Sequence, residues 1–165
     1  MAEVRGAPGR LRPALTLAVA GAFSLFAVLL IHEFLAFGTQ PNDLIAPAGS
    51  VCLSPPCLTT GMVVTGLVAK GIGAGIIFAA IGAVWTAGKA RWLIAGGFFA
   101  VQYIWSLVGI ASGYRGHFGT AWAWWEPFAL LLWHPVTTPA LLMAGLVGCL
   151  GLDRLVRPWR MRAAP

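Results

Sequence analysis

The sequence predicts an all-α integral membrane protein, a four-transmembrane-helix bundle with both termini cytoplasmic, and three observations carry that reading. Hydrophobic residues make up 59% of the 165 residues and charged residues only 10%, against about a quarter charged in an average soluble domain. Four apolar stretches each approach or exceed the roughly 20 residues that cross a bilayer as helix. Nine of the eleven Lys and Arg residues fall on one side once those stretches are threaded through a membrane. A soluble globule is excluded by the composition, and a disordered chain by its 8 Trp and 9 Phe.

The spans are read at about 14–37, 61–87, 92–112 and 128–152, forming a single membrane domain over 1–165. Backbone amides in hydrocarbon must be paired internally, and the alternating ten-residue pattern of barrel strands is absent, so the spans are helices. The first follows Arg5, Arg10 and Arg12 and resembles a secretory signal at its start. Its apolar run continues to Phe37, well beyond a signal core of about 7 to 15 residues, so it is expected to span. Lys89 and Arg91 lie in the short link between the second and third spans, and Arg154, Arg157, Arg160 and Arg162 follow the fourth. By the positive-inside rule that face is cytoplasmic, in a bacterial inner membrane. The net charge of +6 is then an expression of topology and not of nucleic-acid binding.

Two outer loops complete the topology. The first, 38–60, carries Pro41, Pro47, Pro55 and Pro56 and should not be helical. Cys52 and Cys57 sit in it, on the side where thiols oxidise, and are expected to form a disulfide. Their four-residue spacer separates them from the Cys-x-x-Cys of membrane thiol oxidoreductases. Cys149, in the fourth span, reads as a free packing residue. The second loop, 113–127, holds Trp122, Trp124 and Trp125, and such rings favour the headgroup zone.

Ionisable groups at membrane depth are costly and so carry the functional evidence. At 1.5 Å per residue, His32 and Glu33 lie roughly 6 to 8 Å below the outer end of the first span and His134 roughly 9 Å below that of the fourth. Lys70 and Gln102 lie roughly 14 to 15 Å deep. Small residues line faces on three spans: Gly71, Gly75, Ala79 and Ala83 on the second, 100° around from Lys70; Ser106, Gly109 and Gly113 with Gln102 on the third; Gly21 and Ser24 with His32 on the first. Such faces meet one another. Lys70 is too deep to snorkel, and Glu33 is its expected partner, directly or through His32, Gln102 or water. Pro135 and Pro139 delete amides beside His134 and should break the fourth helix there.

Three function classes fit these residues. The first is an accessory or structural subunit of a larger bacterial membrane complex, redox or energy-transducing, touching lipid and other membrane subunits or further copies of itself. The second is an electron-transfer module binding haem b or quinone through His32 and His134, with Arg115 meeting a propionate. The third is a small oligomeric transporter or channel using Glu33, Lys70 and the break. Phosphate-binding loops, zinc-protease and nucleophile-elbow motifs are absent, and five acidic residues leave little room for a carboxylate dyad. No catalytic activity of its own is expected.

Overall fold

The computed structural model describes residues 8–38, 45–46, 58–86, 88–118 and 123–161. Helix α1 (Pro8–Glu33) runs into a π-helical turn, Phe34–Gly38. Two-residue strands β1 (Ile45–Ala46) and β2 (Leu58–Thr59) pair in parallel, Ile45 opposite Leu58 and Ala46 opposite Thr59. Helix α2 (Thr60–Val84) and helix α3 (Lys89–Phe118) follow. A second π-helical turn, Phe128–Leu132, leads to helix α4 (Thr137–Met161).

All four helices are long and apolar enough to cross a membrane, with mean hydropathies of 2.5, 2.0, 1.7 and 1.6 in chain order. Their outward faces carry large apolar groups. Val19, Ile76, Leu93, Trp105 and Val147 are each at least two-thirds exposed, a distribution that lipid or protein partners would cover and water would penalise.

The helices differ in extent from the predicted spans. Helix α3 starts at Lys89 and ends at Phe118, so it takes up six residues read as the start of the second loop. This early start is made possible by a tight link from α2 through Gly88 at φ +92°, in the left-handed region open to glycine. Helix α4 starts at Thr137 and not at Phe128, because the apolar run 128–132 winds as a π-helical turn and the chain is extended at Trp133, φ −75° and ψ 120°. Cys52 and Cys57 lie outside the described residues, and so does Trp122; Cys149 is a buried free thiol.

Helix α1 is the central element, packed along α2 and α4. The α1/α2 approach is close because glycines line it. A Cβ on Gly82 would stand 2.6 Å from the Pro13 carbonyl oxygen and 2.7 Å from Ala14 Cα, and one on Gly21 would run into the Phe78 ring. The predicted small-residue face is therefore real at Gly71 and Gly75, but it continues through Phe78 and Gly82, both buried, while Ala79 and Ala83 are only half-buried. Phe78 anchors the core, edge-on to Phe98 with centroids 4.9 Å apart. The same buried core holds Leu17, Leu25 and Leu29 from α1, and Ala95, Phe99, Tyr103 and Leu107 from α3.

Candidate functional site

Polar side chains gather at the two ends of this bundle. One end joins the start of α1, the end of α2, the start of α3 and the later turns of α4. There Arg91 is fully buried. Its Nη2 donates to Asp153 Oδ1 at 2.7 Å and to the Pro13 carbonyl at 2.9 Å. Its Nη1 donates to the carbonyls of Trp85 at 3.0 Å and Gly82 at 3.3 Å, and its Nε to Asp153 Oδ2 at 3.3 Å. All five guanidinium protons are thus placed, and the planar fork meets the carboxylate two-on-two. Gly82 and Trp85 close α2, where terminal carbonyls have no intrahelical donor. Thr16 Oγ1 adds a bond to Asp153 Oδ1 at 3.0 Å. One side chain therefore ties all four helices.

The positive-inside count treats Arg91 as one more loop charge, which is why the clamp escapes it. A signal was present in the sequence. Asp153 is the single acid after Glu126, set among arginines at the end of an apolar run, and a lone acid there calls for a partner.

The opposite end holds His32, 2% exposed on α1. Its Nε2 lies 2.8 Å from the Leu132 carbonyl and its Nδ1 2.6 Å from the Tyr103 hydroxyl. A carbonyl only accepts, so Nε2 carries the proton and Nδ1 accepts from Tyr103. The chain break explains the carbonyl. In a continuous helix Leu132 would receive the Val136 amide, but that amide donates to His134 Nδ1 at 3.2 Å, and Pro135 has no amide to offer. Leu132 is satisfied by His32, with the Thr138 hydroxyl 3.5 Å away.

His134 is an exposed cap. Its Nδ1 accepts the amides of Val136 and Thr137, the latter at 3.1 Å, and its own amide donates to Thr138 Oγ1 at 3.0 Å. Pro139 falls in the first turn of α4, where a missing amide deprives nothing. His32 and His134, read as possible haem ligands, both carry ring hydrogen bonds in this structure. Both nitrogens of His32 are engaged, and the acceptor nitrogen of His134 is spent on the helix start. The side chains of Arg115 and His117 lie outside the described ones.

Glu33 and Lys70 line one cavity, of about 160 Å³, between α1, α2 and α3. Glu33 is buried, Lys70 half-buried. Glycine on α3 makes room for the lysine, whose Nζ lies 3.0 Å from where a Cβ on Gly109 would be. Gln102 Nε2 donates to Ser106 Oγ one turn along its own helix, at 3.4 Å. Among the described residues no cluster of three His, Cys, Asp or Glu side chains is arranged to hold a metal.

Comparison with protein-family models, curated proteins and solved structures finds no match.

Proposed function

We propose that this chain is an accessory or structural subunit of a larger complex in a bacterial cytoplasmic membrane, with both termini cytoplasmic. The observation that carries the reading is where the strong polar groups are spent. Arg91 closes a four-helix clamp, His32 repairs the helix break and His134 caps α4. These three side chains are committed to holding shape, while α3 and α4 turn Leu93, Trp105 and Val147 outward. A shaped apolar scaffold of this kind suits contact with neighbouring spans.

Photo-crosslinkers placed at Trp105 and Val147 in the membrane-inserted protein test this. Discrete products with other membrane subunits are expected; crosslinks to copies of itself alone overturn it. Reporter fusions at Lys89 and after Pro165 should both read cytoplasmic.

The transporter reading rests on the cavity between Glu33 and Lys70, which has room for roughly five waters at about 30 Å³ each. Flux through proteoliposomes of the chain alone, lost on replacing Lys70 by Met, would favour it over the subunit reading. For the haem module, an optical spectrum of purified protein decides. No Soret band is expected.

A further inference from the structure

We infer that the grooves flanking α4 hold anionic phospholipid, one acyl chain in each groove and its phosphate on the arginine at the groove's mouth. The groove between α3 and α4 has a volume of about 550 Å³ and is floored by Gly96, Gly97 and Gly151. Among its described lining residues the charge is Arg154, whose guanidinium carbon stands 4.5 Å from the centre of the Trp92 ring. That stacking holds the cation across the mouth from α4 to α3. The groove between α1 and α4, about 480 Å³, is built the same way, apolar along Leu15, Val19 and Phe23 with Arg12 at one end.

Both mouths stand at one level. Arg12 precedes Pro13, whose carbonyl takes the Arg91 bond, and Arg154 follows Asp153, which takes the same guanidinium. The clamp therefore sets the two arginines at a common level. It also neutralises Asp153, so the acid does not offset them. From Arg154 back to Met143, and from Arg12 to Phe23, the grooves run eleven residues, about 16 Å of helix. Half of a hydrocarbon core of about 30 Å is nearly the same length. A cation at the headgroup level above an apolar trough one leaflet deep matches a phosphate above an acyl chain, and the charge favours an anionic head over a zwitterionic one.

The glycines supply a clean test. A Cβ at Gly97 or Gly151 meets nothing within 4 Å, so Gly97→Leu adds its side chain at the groove wall from a Cβ position that is open. The full chain in detergent, titrated with phosphatidylglycerol or phosphatidylcholine, is followed by native mass spectrometry. Up to two retained phosphatidylglycerols are expected, preferred over phosphatidylcholine. Arg154→Gln should lower occupancy of one of them about fivefold, and Arg12→Gln the other. Gly97→Leu should remove the first with every charge in place. Helicity without added lipid serves as the folding control for each variant. Equal retention of both lipids, or retention indifferent to either arginine, overturns the inference. So does a Gly97→Leu variant that loses a dimer and keeps its lipids, because the groove would then seat a second copy of the chain.

Discussion

At one end of the bundle Arg91 and Asp153 are sealed from solvent, with every guanidinium proton assigned to a fixed acceptor. At the other, Glu33 and Lys70 border an open cavity, and the nearby order comes from a neutral histidine and a tyrosine. Both ends hold a cation and an anion, and at the first the guanidinium has the geometry of a lock. The difference lies in what surrounds the charges. Arginine's planar fork meets the carbonyls ending α2 and a carboxylate in register, whereas a lysine ammonium on a flexible stem leaves its end of the bundle adjustable.

Breaking the lock should have the largest effect. Arg91→Met leaves Asp153 buried without its charge partner and should cost about 3 to 5 kcal/mol. Arg91→Lys should recover little, since one ammonium cannot serve four helices. Arg91→Met combined with Asp153→Leu should recover much of the loss. Unfolding in mixed micelles, followed by helicity, measures all three. If the double variant is as unstable as the single, the clamp is not primarily a charge pair.

Next in size is the α1/α2 seam that delivers Pro13 to the clamp. Gly82→Ala places a methyl against the Pro13 and Ala14 backbone and should cost about 1 to 3 kcal/mol. Gly73→Ala, where a Cβ meets nothing within 4 Å, should be neutral or stabilising by under about 1 kcal/mol. Similar losses at both positions would mean that the seam is looser than the glycine contacts require.

A smaller effect belongs to the other end. Tyr103→Phe removes the proton that His32 Nδ1 accepts, and interhelical hydrogen bonds within membranes couple by about 0.6 kcal/mol on average. A cycle of Tyr103→Phe with His32→Leu should return a coupling near that value. Zero coupling would make Leu132 the partner that matters.

How much of this was legible depended on whether the signal was local. Four apolar runs were readable because each helix declares its hydrophobicity within its own residues. Pro135 and Pro139 announced interrupted amides beside His134, but not that the chain would wind as a π-helical turn through Leu132 and restart at Thr137. The clamp was hidden because Arg91 and Asp153 are 62 residues apart, and a positive-inside count is blind to the direction in which an arginine points. Tyr103, one aromatic among many in an apolar helix, carried no mark of the hydroxyl's partner 71 residues earlier. His32 was picked out by its depth, yet its second partner is a carbonyl freed by a break 100 residues away.

Comparably small is the coupling of Glu33 to Lys70, and it bears most directly on whether the open end is a site or merely a softer seam. Lys70 is half-buried beside the cavity, so its attraction to Glu33 is screened and should be worth at most about 1 kcal/mol in a cycle of Lys70→Met with Glu33→Gln. Gly109→Ala offers a way to disturb the lysine without removing a charge, because the new methyl would sit 3.0 Å from Nζ and the flexible stem would have to give way. If the two charges communicate across the cavity, repeating the cycle in a Gly109→Ala background should change the coupling. An unchanged value would mean that Lys70 and Glu33 act independently, with the lysine turned toward lipid or a neighbouring subunit. That outcome would weaken the transport reading and leave the accessory-subunit reading stronger, since this cavity would then have no charge pair to work with.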